Sequence, residues 1–189
     1  MAAAVITIGT LFTANGIHRQ IRVLAVDANQ LVQEGLCAMI NREEDMTVVA
    51  TASSGEEALD HVRRYRPDVV TLDLMLPDMP GEDLARRILA AFPGTRIVAI
   101  TSARGHVHAR RALDAGIHGY LSKAAPRYEL VRAIRQVQAG KRAIPGPVAF
   151  SIAKRFLRET IAYRETARLR LVAGRSGNRQ QAAPVGVLL

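Results

Sequence analysis

Tryptophan is missing from the 189 residues, aromatic side chains amount to 4%, and there is one cysteine, Cys37. A lone cysteine forms no internal disulfide, so a small secreted, disulfide-built scaffold is excluded and a reducing, cytoplasmic setting is expected. Cys37 falls in a helical apolar pattern with Leu36 and Met39, which reads as a packed core thiol. With so few aromatics the core has to come from Val, Ile, Leu and Ala, the composition of an α/β protein. Long apolar runs are lacking too. The first 17 residues, MAAAVITIGTLFTANGI, carry no charged side chain, but Gly9 and the Asn15-Gly16 dipeptide interrupt them and no basic stretch precedes them. They suit neither a secretory signal nor a membrane span.

Acidic residues run out toward the C-terminus. Residues 1–123 hold 13 Lys/Arg against 14 Asp/Glu, whereas residues 124–189 hold 13 against 3, so the net charge of +9 belongs to the last third. A basic segment of this kind can meet nucleic acid, an acidic partner or an anionic surface, and a solvated helix face is the plainer reading.

From Ile21 onward, short β-branched runs alternate with apolar residues at helical spacing. The pattern predicts strands at Ile21–Val26, Thr47–Ala50, Asp68–Leu72, Arg96–Thr101 and Gly119–Leu121. Helices are expected around the Val32, Leu36, Met39 and Ile40 stripe, after Ser53-Ser54-Gly55-Glu56-Glu57, and near Glu82–Ala91, His106–Ala115 and Arg127–Ala139. Five alternating pairs imply a doubly wound parallel sheet covered on both faces. Ligands of such sheets bind at the carboxyl ends of the strands. Asp27, Asp73, Thr101 and Lys123 fall at those ends, four polar groups from distant parts of the chain converging on one edge. Each has a plainer role available: an Asp after a strand often only caps a turn. His61, His106, His108 and His118 show no trustworthy metal-ligand spacing.

The segments RVLAVDANQLVQEGL, PDVVTLDLMLPDMPGEDL, VAITSA and GYLSKAAPRYELVRAI, in this order and at these separations, resemble the receiver domain of bacterial two-component response regulators of the NarL/FixJ (LuxR-type) branch. The resemblance covers residues 21–140. It implies a flavodoxin-like five-stranded sheet in the order 2-1-3-4-5 and a non-enzymatic signalling switch. It also implies that Asp73 accepts a phosphoryl group from a sensor histidine kinase, that Lys123 and Thr101 contact the phosphoryl oxygens, and that Tyr120 follows Thr101 as a switch. The output surface would lie between His106 and Tyr120. Mg²⁺ would be held by Asp27, Asp73 and the Met75 backbone carbonyl. The family pattern has a second acid after the first strand, where this chain has Ala28, so weaker metal binding is expected. An aspartyl phosphatase of the haloacid-dehalogenase type needs an acid where Met75 stands, and a nucleotide enzyme needs a Gly-rich first turn that VDANQLV lacks.

Residues 1–20 are expected to form a disordered extension. Residues 141–162 read as a linker, GKRAIPGPVAF, and an amphipathic helix with Ile152, Phe156, Leu157 and Ile161 opposite Lys154, Arg155 and Arg158. Residues 163–189 resemble a truncated or degenerate helix-turn-helix. Because the 23 residues from Ala167 to Leu189 are too few for a recognition helix and its packing partner, Arg158, Arg164, Arg168, Arg170, Arg175 and Arg179 point to salt-sensitive phosphate contacts with DNA rather than to operator reading. The alternative is a phosphorylation-impaired receiver acting as a protein-interaction module or nonspecific DNA-binding regulator. Membrane attachment is not expected, and the resemblance allows a homodimer.

Overall fold

The computed structural model describes residues 19–102, 106–146, 149, 150 and 154. Strands β1 (Ile21–Val26), β2 (Met46–Ala52), β3 (Val69–Leu72), β4 (Arg96–Thr101) and β5 (Gly119–Ser122) alternate with helices α1 (Gln30–Ile40), α2 (Gly55–Tyr65), α3 (Gly81–Ala91), α4 (His106–Asp114) and α5 (Arg127–Gln138). The strands pair in parallel in the order β2-β1-β3-β4-β5, as expected of the flavodoxin-like fold. Strand β2 is longer at both ends than its apolar run, because Met46 and Ala52 continue the ladder with Ile21 and Val26. The C-terminal helical tail and the arginines at 158, 164, 168, 170, 175 and 179 lie outside the described residues, as do residues 1–18.

Burial follows from the pairing. Val23 to Val26 of β1 and all of β3 are buried, the continuous apolar pattern of strands covered on both faces. On one face Leu36 and Ile40 of α1 and Leu130, Ile134 and Val137 of α5 close over Val23, Val69 and Val98. Successive side chains of a strand point to opposite faces, so Leu24, Val70 and Ile97 serve the other layer. That layer includes Leu59 and Val62 of α2, and Leu84 and Ile88 of α3. Cys37, expected in the core, is only partly covered, and burial is the leading cause of the upward shift of its thiol pKa.

Local signals set the helix starts. Asn29 accepts from the Leu31 and Val32 N–H groups and Ser54 from Glu57, satisfying donors that a first turn leaves open. Helix α2 ends on Arg66 in the left-handed region, φ 46°. A non-glycine residue there is strained, and the Arg66 guanidinium rests 4.4 Å from the Phe92 ring centroid.

The outer edge of β5 is occupied. Ala143 forms a parallel bridge with Gly119, accepting from Tyr120 N–H at 2.9 Å and donating to the His118 carbonyl at 3.1 Å. A Cβ on Gly119 would come within 3.2 Å of the Ala143 methyl, so glycine permits the approach. The linker expected from residue 141 therefore begins as part of the sheet, and the compact unit ends at Pro145. At the far end of Arg19 and Gln20, the last residues of the expected extension, Arg19 pairs with Asp68 and Gln20 donates to the Glu44 carbonyl.

At the amino edge the Ile97 N–H donates to His118 Nδ1 at 3.2 Å. Burial, with Arg96 and Arg142 nearby, lowers the imidazole from 6.5 to about 4. Below pH ~6.5 the unfolded chain takes up a proton that the fold resists, so this group's contribution is complete above that pH and is lost as pH falls toward 4. Asparagine at 118 keeps an acceptor for Ile97 without the titration. In urea unfolding, the wild type is expected to lose on the order of 1 kcal/mol more than His118→Asn between pH 7 and 4.5, screening at a partly exposed site having reduced the full effect. Equal losses would refute it.

Candidate functional site

Val26 and Leu72 stand opposite each other in the β1–β3 ladder, so the next residues, Asp27 and Asp73, leave neighbouring strands side by side. Both are buried, 1% and 6% exposed. Lys123, immediately beyond β5, reaches them across β4: its backbone N–H donates to the Thr101 carbonyl, and its Nζ lies 2.6 Å from Asp27 Oδ2 and 2.6 Å from Asp73 Oδ2.

The remaining carboxylate oxygens are partnered in the same manner. Asp27 Oδ1 accepts from the Asn29 N–H at 2.9 Å, and Asp73 Oδ1 accepts from the Met75 N–H at 3.2 Å. Each acid closes a turn onto the residue two places on, as the turn-capping reading anticipated. Each also gives its second oxygen to one shared ammonium. Capping and chemistry are thus compatible roles of the same side chain.

Two carboxylates facing each other repel, and burial sharpens the repulsion. Burial opposes the charge on Lys123, but its hydrogen bonds to Asp27 and Asp73 outweigh that effect and the pKa is raised above 10.5. The sum of formal charges on the three groups is one negative. Their oxygens are hard donors of the kind Mg²⁺ takes, so the donor chemistry suits that cation. In number the set is short: among the described residues no group of three or more His, Cys, Asp or Glu side chains could hold a metal. Ala28 presents an exposed methyl where a further carboxylate would stand. Asn29 does not replace it, because its side-chain oxygen caps α1.

Thr101 closes β4 and is 1% exposed. Tyr120, on β5, is buried, and burial followed by the nearby Glu82 raises its phenol pKa. Met75 is exposed by two-thirds. The loop from Met75 to Pro80 lines a cavity of 410 Å³ with Glu82 of α3 and with His108 and Arg111 of α4.

Two residues that sequence reasoning passed over, Gln33 and Asp78, fix this geometry together with Gly81 of the PDVVTLDLMLPDMPGEDL segment. The Gln33 amide donates to the Asp27 carbonyl at 2.6 Å and to the Ala52 carbonyl at 3.1 Å, tying the β1–α1 turn to the end of β2. Asp78 accepts from Gly55 N–H at 2.8 Å and Glu56 N–H at 3.0 Å, so the loop after Asp73 caps α2. The Gly55 N–H leads in holding the Asp78 carboxyl below its ordinary range. Gly81 starts α3 so close to the end of β3 that a Cβ would stand 2.6 Å from the Asp73 carbonyl oxygen. Their signal in the sequence is slight: a polar residue in the first turns of α1, and an acid between Pro77 and Met79.

Residues 23–135 match the family described as response regulator receiver domain. The response regulator GacA of Pseudomonas viridiflava is 39% identical over 133 residues, which are 70% of this chain and 62% of GacA. The oxygen regulatory protein NreC of Staphylococcus epidermidis is 32% identical over 74% of this chain and 64% of its own length. The chain thus spans under two-thirds of these relatives. Among solved structures, a LuxR-family two-component response regulator from Aurantimonas sp. SI85-9A1 superposes with a TM-score of 0.69 at 35% identity, covering 73% of this chain and 99% of that one.

Removing the ammonium leaves two buried like charges facing each other. Lys123→Met is expected to cost about 2–4 kcal/mol at pH 7. Urea unfolding at pH 7 checks this; an unchanged stability would show that the two buried carboxylates do not depend on the ammonium.

Proposed function

The chain belongs to the response regulator receiver family of two-component systems, and we propose that Asp73 is its phosphoryl acceptor. The observation that carries this reading is the single Lys123 ammonium 2.6 Å from both Asp27 and Asp73. A carboxylate attacks phosphorus only where cations offset the charge on the equatorial oxygens. An oxygen of Asp73 forms the new P–O bond as the P–N bond of a kinase phosphohistidine breaks, and the electron pair of that bond leaves with the imidazole, which takes a proton. Lys123 then has a phosphoryl oxygen to bond in place of the Asp73 oxygen while keeping Asp27. The Thr101 hydroxyl is placed in the role of donor to another phosphoryl oxygen.

Phosphorylation adds about −1.5 to −2 charges at a site whose residues sum to one negative. In the proposed switch, Thr101 moves toward the phosphoryl group and Tyr120 takes up the change on β5. Receiver domains generally bind Mg²⁺ at the phosphorylation site. In this chain Asp27, Asp73 and the Met75 carbonyl would hold it, and bound Mg²⁺ would offset charge on the phosphoryl oxygens. With Ala28 in place of an acid, affinity is lowered because one hard donor and one negative charge are gone.

A sensor histidine kinase is the proposed donor, acting in the cytoplasm. No helix among the described residues is long and apolar enough to cross a membrane. Homodimerisation and phosphate contacts by the arginines of residues 158–179 belong to the same proposal.

Labelling by a small phosphodonor such as acetyl phosphate should be abolished in Asp73→Asn; undiminished labelling would remove Asp73 from the role. Ala28→Asp should tighten Mg²⁺ binding at least about tenfold and speed labelling, since a carboxylate ligand is restored. If both the metal titration and the labelling rate stay where they are, position 28 does not limit the site.

A further inference from the structure

The amino edge of the sheet, at the opposite end of the strands from Asp73, holds a second arrangement that phosphoryl transfer does not use. In a parallel ladder the Ile97 N–H faces β5, where His118 Nδ1 accepts it at 3.2 Å while the His118 N–H donates to the Ile97 carbonyl. A ring nitrogen that accepts carries no proton, so the neutral imidazole has its hydrogen on Nε2. Nε2 stands 3.3 Å from Arg96 Nη1. A guanidinium has only donors. Two N–H donors therefore face each other with nothing between them to accept.

Arg142 adds to the imbalance. It follows the Gly140 turn, donates to the Ile117 carbonyl, and its charge is felt by the His118 ring. Neither Arg96 nor Arg142 forms an ion pair with an acid among the described residues, whereas Arg127 and Arg135 both pair with Glu43. Two guanidiniums and an imidazole N–H, with no carboxylate paired to them among the described residues, form a notch of one sign. Donors this close are satisfied together by an oxygen bearing negative charge, for which Arg is the preferred partner.

We propose that Arg96, His118 and Arg142 form a binding notch for a phosphate- or sulfate-type oxyanion, separate from the acceptor site. One oxygen of the anion accepts from both Arg96 Nη1–H and His118 Nε2–H, and Arg142 supplies the second positive charge. The imidazole participates as a neutral donor, so binding requires no proton uptake by the ring. The notch borders the Gly119–Ala143 bridge, so an occupant lies against the residues that lead out of the sheet.

The test uses the full chain with ¹⁵N-labelled histidine. At pH 7, ring spectra should show His118 as the Nε2–H tautomer. Sulfate titrated against chloride at constant ionic strength should shift the His118 resonances saturably, with inorganic phosphate behaving alike. Arg96→Gln should weaken that response at least tenfold and Arg142→Gln severalfold, whereas Asp73→Asn should leave it unchanged. A His118 response that is linear in salt, equal for sulfate and chloride, or unaltered in Arg96→Gln would overturn the notch. So would a response seen with duplex DNA and with neither free anion, because the ligand would then be a nucleic-acid backbone rather than a small oxyanion.

Discussion

One ammonium held between two carboxylates is the constraint around which this fold is arranged. Asp27 and Asp73 sit on adjacent strands because the crossovers place β1 beside β3, and their closeness is tolerable only while Lys123 neutralises part of the charge. The lysine comes from β5, two strands away from β3, so the β3–β4 and β4–β5 ladders must hold their register for it to arrive. The core of Val, Ile, Leu and Ala serves that register, and the site in turn unites segments separated by nearly a hundred positions in sequence. Stability and the proposed chemistry rest on the same three side chains.

Much of this was legible beforehand. β1 and β4 have the boundaries their β-branched runs imply, since the apolar runs Val23–Val26 and Ile97–Ile100, each flanked by charged or polar residues, leave little freedom. The convergence of Asp27, Asp73 and Lys123 was legible because strand ends of a parallel sheet lie on one edge whatever the intervening sequence. The end of β2 was not, because polar, partly exposed Thr51 interrupts the apolar signal before buried Ala52, and both owe their strand conformation to hydrogen bonding with β1. Residues 141–145 read as linker from their composition, yet Ala143 is claimed by an open backbone edge, and backbone donors and acceptors leave no trace in side-chain pattern.

The same reasoning explains the residues that were passed over. Gln33 and Asp78 act on backbone groups of distant segments, and such pairings follow from tertiary placement rather than spacing. His118 has no partner of recognisable motif either; its meaning comes from the ladder, which decides which ring nitrogen must accept. By contrast Ala28 was conspicuous, being a departure from an expected pattern, and the structure adds that its neighbour Asn29 is committed to capping α1.

The bridge at Ala143 has a bearing on where this receiver can be cut. β5 is the last strand of the sheet, and an unpaired strand edge invites pairing with another chain. Ala143 supplies that edge with a donor and an acceptor from the same molecule. A fragment trimmed at Gly140, just past α5, would keep β1–β5 and α1–α5 yet lose this cover, and its bared margin would be the natural seed of aggregation. The smallest unit with a covered β5 margin is set by a hydrogen-bonded seam five residues past the end of α5.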